Sequence, residues 1–129
     1  MGSNPLLYKS GLPPFDQIKP EHVVSAVQDV LASANAKFDQ VEASLTPSFL
    51  PTWDNLLEPL DEIDHDVFRV WSPVGHLMGV MNSDELRKAY ETTQPEVVIT
   101  ANSMIFFGIM SFHRNCAMVD ECSDGRLDF

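Results

Sequence analysis

A cluster of acidic side chains around one histidine is the part of this chain best suited to bind a metal ion. It contains Asp61, Glu62, Asp64, His65 and Asp66. On a helix, Asp61, Asp64 and His65 would share one side, because residues three and four apart lie above one another. A calcium loop needs alternating ligands around a glycine bend, and a zinc site needs a further ligand from elsewhere; the sequence indicates neither. We therefore interpret the cluster as the solvated outer face of a helix.

The histidines and cysteines do not form a catalytic motif either. A helical zinc peptidase holds its metal with His-Glu-x-x-His, and none of the four histidines is followed by glutamate or lies four residues from another: His22, His65, His76 and His113. Cys116 and Cys122 lack the C-x-x-C spacing of redox and metal sites, which favours free thiols. His113 lies three residues before Cys116, which is weak support for a catalytic dyad. The sequence contains no nucleophile elbow and no phosphate-binding loop. We predict no catalytic, cofactor-binding or metal-binding residue.

The residues that would position any site lie on predicted helices. Pro20 suits a first helical position, and apolar residues then recur in steps of three and four, which predicts an amphipathic helix over about 20–45. Thr52 is a suitable N-cap for a second helix over about 52–81, whose apolar stripe has the same spacing. We interpret His22, at the start of the first helix, as a packing or capping residue.

The second helix contains Pro59 and Pro73, and glycines lie in its last turns. We expect these residues to bend or divide it, because proline removes a backbone donor. Asn82 followed by Glu85 resembles a capping box and predicts a third helix over about 83–95.

The C-terminal quarter of the chain has a different character. After residue 96 the chain is rich in β-branched and aromatic residues without clear helical spacing, and its last ten residues are polar and acidic. We predict an all-α fold, an antiparallel hairpin or bundle of about three helices with an irregular apolar C-terminal tail. We divide the chain into a helical region, 1–95, and a divergent tail, 96–129.

Composition excludes several function classes. A net charge of −11 and a pI near 4.5 argue against nucleic acid or an anionic membrane as a partner, since both attract basic surfaces. The apolar stretch over 97–112 is shorter than the ~20 residues of a spanning helix. No secretory or transit segment is evident, so we expect a cytoplasmic protein.

Six sequence blocks resemble the opening of the oligopeptidase A/thimet oligopeptidase family of zinc metallopeptidases, over about residues 4–95. They are NPLL (4–7), LPPF (12–15), IKPEH (18–22), TWDNLLEPL (52–60), WSPVGHL (71–77) and NSDELRKAY (82–90). The resemblance implies an all-helical shell around a channel that admits short peptides, with one zinc ion on a downstream His-Glu-x-x-His helix. It also implies that the N-terminal helices form part of the channel wall. No catalytic or metal-binding residue of the family maps to 1–129.

Two hypotheses follow. In the first, the chain is a truncated or short-form homologue of a zinc oligopeptidase, inactive alone, with short peptides or the remainder of a full-length oligopeptidase as partners. An apolar patch that includes Phe106, Phe107, Ile109 and Met110 would then be left uncovered. In the alternative, it is a free-standing helical interaction module that binds peptides or a partner protein. Ile105, Phe106 and Ile109 would then cover the helical stripes.

Overall fold

The computed structural model describes residues 4–46, 48 and 50–116, without the side chains of 109 and 112–116. Predictions that concern the side chains of Ile109, His113 and Cys116, or any part of Cys122, therefore fall outside the described residues.

Within the described residues, three helices make up the fold: α1, Pro20–Ser44; α2, Glu58–Val80; and α3, Asp84–Cys116. A 3-10 turn, Pro5–Leu7, precedes α1, and a wide π-helical turn, Trp53–Leu57, leads into α2. The described residues contain no strand. These observations confirm the predicted all-α class and the number of helices.

Contacts between the helices define their directions. Lys37 of α1 meets Asp66 of α2, and Trp71 of α2 stacks on Tyr90 of α3. Since Leu60 lies beside Gly108, α2 and α3 run antiparallel.

The core consists of the stripes that the periodicity predicts on α1 and α2. The 3-10 turn adds Leu6, which is fully buried. Partly buried Phe38, Val41, Trp71 and Met78 pack around this core, as the spacing predicts. Burying these aliphatic side chains removes apolar area from water, which is the main favourable term in folding. The buried core residues of these two helices are Val23, Ala26, Val27, Val30, Leu31 and Ala34 of α1 and Leu60, Ile63, Val67, Val70, Val74 and Leu77 of α2.

Thr52 is confirmed as a cap, but it caps the π turn that leads into α2, and α2 itself begins at Glu58. The Thr52 hydroxyl accepts a hydrogen bond from the Asn55 N–H at 3.3 Å, and the Asn55 side chain accepts one from the Thr52 N–H at 2.7 Å. The π turn ends directly before α2, so Pro59 is the second residue of the helix rather than an interior one. Helix α2 is not divided, since it continues through Pro73 to Val80; the alternative expectation of a bend stays a prediction.

The prediction of an irregular tail is also wrong as far as residue 116. Helix α3 is 33 residues long and runs without a break through the point where the tail was predicted to begin. Its interior proline, Pro95, is exposed, so the backbone carbonyl that loses its partner can bind water.

The buried side of α3 repeats at helical spacing but mixes apolar, small and polar residues. It comprises Leu86, Ala89, Thr93, Val97, Met104, Gly108 and Ser111. The Thr93 hydroxyl donates to the Ala89 carbonyl at 2.9 Å, which satisfies it inside the core. This mixed composition hides the stripe from a search for apolar periodicity.

The N-terminus of α3 differs from the prediction by one residue. Ser83, not Asn82, is the cap: its hydroxyl accepts from the Leu86 N–H at 3.1 Å, and its carbonyl accepts from the Arg87 N–H at 2.9 Å. Serine satisfies a free helix donor at this position as well as asparagine does.

Over the residues that the structure describes, none of these helices has the length and sustained hydropathy needed to cross a bilayer.

Candidate functional site

The largest cleft lies between the N-terminal lead-in and one side of α2. Its volume is about 720 Å³, within the ~300–1,000 Å³ range of ligand pockets. It is open to solvent and has aromatic and basic lining residues. They include Tyr8, Lys9 and Phe15 of the lead-in and His65, Phe68, Arg69 and His76 of α2.

Specific contacts hold the lead-in against the helices. Asn4 caps the 3-10 turn through its side-chain oxygen, which accepts from the Leu6 N–H at 3.0 Å, while its amide group donates to the His22 carbonyl at 2.8 Å. Further along, the Arg69 guanidinium donates to the Lys9 carbonyl at 2.7 Å. Gly11 has a φ of +85°, in the left-handed region that glycine adopts readily, and lets the lead-in turn between these anchors.

The side chains of this cleft offer aromatic and positively charged surface. Phe15 and His76 lie with ring centroids 5.2 Å apart, and Phe68 is 61% exposed, so aromatic surface is available to a ligand. Arg69 and Lys9 supply positive charge, which would attract a carboxylate. Among the described residues, no histidine ring hydrogen-bonds a hydroxyl group, so a nucleophile with its base is not assembled here.

The acidic cluster of α2 is divided among different surroundings. Asp66 pairs with Lys37 at 2.6 Å, across the α1–α2 contact. His65 lines the cleft, whereas Asp61 and Asp64 line a groove beside α3.

The described part of the chain brings together no group of three or more His, Cys, Asp or Glu side chains able to hold a metal ion. The described residues therefore do not fit a zinc ion, and no reaction step is derived through one.

His22 and His76 make contacts that are typical of structural residues. His22 accepts a hydrogen bond on Nδ1 from the Lys19 N–H at 3.1 Å, which confirms its predicted capping role at the start of α1. His76 packs on Phe15, in agreement with a packing role. Neither contact indicates a metal ligand.

The second prominent surface is the outer face of α3, which we define by Val98, Ile99, Ile105, Phe106 and Met110. All five side chains are between 47% and 67% exposed, on the side of the helix away from the core. The exposure of Phe106 and Met110 agrees with the expected apolar patch, whereas Phe107 is partly buried.

The expectation that Ile105 and Phe106 cover the helical stripes is wrong. Met104, 5% exposed, and Phe107, edge-on to Phe38 at 4.8 Å, occupy that position instead. Once residues 97–111 are placed on a helical wheel, the spacing of these apolar residues separates an inner from an outer face.

The fold and its surfaces define a class: an all-α domain with a binding cleft and, in the part the structure describes, without assembled catalytic or metal-binding groups. Comparison with known sequences identifies the family. The family model of the neurolysin/thimet oligopeptidase N-terminal domain matches residues 27–106, and the chain belongs to this family. The match continues past residue 96, as does α3, while the predicted division at that point stays a prediction.

Relatives in bacteria and plants extend the comparison. Oligopeptidase A of Salmonella typhimurium is 50% identical over 93 residues, which cover 72% of this chain and 13% of that protein. Oligopeptidase A of Escherichia coli is 48% identical over the same length and with the same coverage. The probable cytosolic oligopeptidase A of Arabidopsis thaliana is 38% identical over 98 residues, 76% of this chain and 13% of that protein. The chain thus spans about one eighth of the length of these relatives.

Proposed function

We propose that this chain forms part of the helical wall of a peptide-degrading enzyme of the oligopeptidase A family, and that these 129 residues do not by themselves hydrolyse peptides. The observation that carries the proposal is the pairing of a family N-terminal match with a sequence that lacks His-Glu-x-x-His. The family is one of zinc-dependent metallopeptidases. Zinc chemistry requires ligands that are deprotonated and grouped around the ion, and the described residues offer no such group.

The cleft between the lead-in and α2 supports a role in contacting short peptides. Its aromatic rings offer stacking and apolar area, and Arg69 and Lys9 offer charge for a peptide carboxylate. The outer face of α3 supports a role in packing against further structure, because five exposed apolar side chains on one helix side typically mark an interface. Both surfaces are consistent with one wall of a larger shell.

A hydrolysis assay tests the proposed lack of activity. The purified chain is incubated with a panel of quenched fluorescent peptides, with added zinc or with a chelator, beside Salmonella typhimurium oligopeptidase A as the positive control. We expect no turnover above that of the buffer, and no zinc retained after dialysis in metal analysis. Saturable hydrolysis that the chelator abolishes and zinc restores would overturn the proposal.

A free-standing interaction module is the second candidate, favoured by one observation. Helix α3 completes a continuous core with α1 and α2, so the described part of the chain has the packing of an independent domain. A single cooperative urea transition, seen by tryptophan fluorescence and near-UV circular dichroism, would support this candidate. Helical far-UV signal without near-UV signal or a cooperative transition would contradict it.

We further propose a cytoplasmic location, which the name of the Arabidopsis relative described above gives for that protein; a second Arabidopsis oligopeptidase A, also 38% identical over 98 residues, is named organellar. Fractionation of the source cells would test it, and recovery of the chain in an organelle fraction would contradict it.

A further inference from the structure

A groove beside the first turns of α2 combines apolar lining with acidic side chains. It has a volume of about 270 Å³ and lies between the π turn with the start of α2 and the middle of α3. Trp53, Leu57 and Ile105 supply apolar surface, and Asp61 and Asp64 supply charge. Its volume is below the ~300–1,000 Å³ of typical small-molecule pockets, so it suits side chains of another chain better than a whole ligand.

Helices α2 and α3 pack closely beside this groove. Gly108 has no side chain, and a Cβ atom there would lie 3.2 Å from the Leu60 Cδ1 atom, closer than an ordinary contact. Trp53 remains 65% exposed and Ile105 59% exposed on either side. An exposed tryptophan beside an exposed isoleucine is typical of an anchor site in an interface, where aromatic residues are enriched.

The charged side chains that line the groove are both acidic. Asp61 and Asp64 are exposed, and within the described residues neither forms a salt bridge, since the pairs found there use Asp66 and Glu21. No lysine or arginine occurs between Lys88 and the end of the outer face of α3. A partner with positive charge beside its apolar contacts would therefore complement this surface.

The dimensions indicate a helix as the occupant. The outer face of α3 continues from the groove over 98–110, about 18 Å at ~1.5 Å per residue, which is the length of a helix of three to four turns. A second copy of this chain fits poorly. A stripe ~10 Å wide buries far less area than the ~800 Å² per partner of a stable dimer. Two copies would also repel each other, because each carries a net charge of −11.

We propose that this groove docks an amphipathic helix whose apolar ridge is flanked by lysine or arginine side chains. The ridge contacts Trp53 and Ile105, and the flanking cations pair with Asp61 and Asp64. These two carboxylates lie one helical turn apart on α2, so cations one turn apart on the partner reach both. The proposal rests on the packing role proposed above for the outer face of α3 and names the chemistry of the helix that packs there. Helix binding and peptide hydrolysis are measured separately, so failure of one is distinguishable from failure of the other.

Two model helical peptides test the proposal. Both are 14-residue leucine–alanine amphipathic helices of identical sequence except that the residues flanking the leucine ridge are lysine in one and glutamate in the other. Affinity for the full chain is measured by calorimetry, and the tryptophan emission maximum reports the location. Trp53 lines the groove, whereas Trp71 is stacked on Tyr90 with centroids 4.6 Å apart and provides a constant background.

Matched variants separate the groove from general effects. Asp61→Asn with Asp64→Asn removes two groove charges, and Asp29→Asn with Asp39→Asn removes two exposed charges of α1. Ile105→Ser alters the groove. Val80→Ser makes a comparable change at an apolar side chain of α2, 62% exposed, that belongs neither to the groove nor to the outer face of α3. Far-UV circular dichroism of each variant confirms that the helices are retained.

We expect the lysine peptide to bind with a shift of emission to shorter wavelength and the glutamate peptide to bind at least tenfold more weakly. The groove double variant should weaken binding about three- to tenfold, the effect of losing two exposed ion pairs. Ile105→Ser should weaken binding to a similar extent. Both control variants should keep the original affinity. Equal weakening by the two double variants would show long-range attraction by net charge and overturn the proposal. Equal affinity of the two peptides, equal effects of the two serine variants, or no binding would also overturn it.

Discussion

The packing of α3 on the core can be tested by comparing two methionines of that helix. Met104 is 5% exposed and faces the core, and Met110 is 53% exposed on the outer face. Truncation of each to alanine makes the same chemical change on opposite sides of one helix. If residues 97–111 form a packed helix, only the inner substitution will lower the free energy of unfolding substantially.

The expected magnitude follows from burial. Removing a buried methionine side chain loses ~1.5–3 kcal/mol of transfer free energy, and the cavity left behind brings the cost of Met104→Ala to about 2–5 kcal/mol. Met110→Ala should change stability by less than ~0.5 kcal/mol, as surface substitutions usually do. For a domain with a total stability of ~5–15 kcal/mol, the inner variant loses a large fraction of it.

Urea unfolding followed by tryptophan fluorescence measures both variants. With m-values of ~1–3 kcal/mol/M, a loss of about 3 kcal/mol moves the unfolding midpoint of Met104→Ala down by ~1–3 M, while the slope stays unchanged. Met110→Ala should unfold with the midpoint of the original chain. Identical midpoints for the two variants would refute the placement of α3, and a lowered slope for Met104→Ala alone would indicate a changed denatured state instead.

Further predictions concern the cap of α3, the lead-in and α2. Ser83→Ala should cost ~1 kcal/mol in urea unfolding and Asn82→Ala less than half of that, because only the serine caps α3; equal costs would contradict this cap. Leu6→Ala should lower stability by ~2–5 kcal/mol and Leu7→Ala by under ~1 kcal/mol, since Leu6 is fully buried and Leu7 is 37% exposed; a neutral Leu6→Ala would show an unpacked lead-in. Gly75→Ala should raise the thermal midpoint by the equivalent of ~0.5–1 kcal/mol, because a Cβ there meets no atom within 4 Å. A lowered thermal midpoint of Gly75→Ala would contradict this prediction.

The sequence predicts α1 and α2 well because their inner faces are uniformly aliphatic. Residues such as Val27 and Ile63 recur at helical spacing with charged residues between them, so the apolar period is visible. Thr52 could be recognised as a cap because its hydroxyl and the following residues match the known chemistry of helix starts.

The C-terminal half of α3 could not be predicted from that signal. Its buried side uses Gly108 and Ser111, which a hydrophobicity pattern scores as polar or neutral, while Phe106 and Met110 place strong apolar signal on the exposed side. The result is a helix that is apolar on most sides, and such a segment cannot be told from a strand or loop by period alone. Tertiary packing decides its structure.

The candidate surfaces were only partly predictable. The acidic cluster could be found in the sequence, but its separation between the cleft at His65, the Lys37 contact of Asp66 and the groove at Asp61 depends on how α2 sits between its neighbours. The cleft itself requires residues of the lead-in and of α2 that are about 60 positions apart, joined by the Arg69 to Lys9 hydrogen bond. No local pattern links them.

The central claim, that this chain is equivalent to the N-terminal wall of an oligopeptidase, is tested most directly by a chimera. The matching segment of Escherichia coli oligopeptidase A, 93 residues at 48% identity, is replaced by the corresponding residues of this chain. We predict that the purified chimera retains chelator-sensitive hydrolysis of short peptides, within about tenfold of the parent in kcat/KM. A folded, zinc-loaded chimera without peptide hydrolysis would contradict the account.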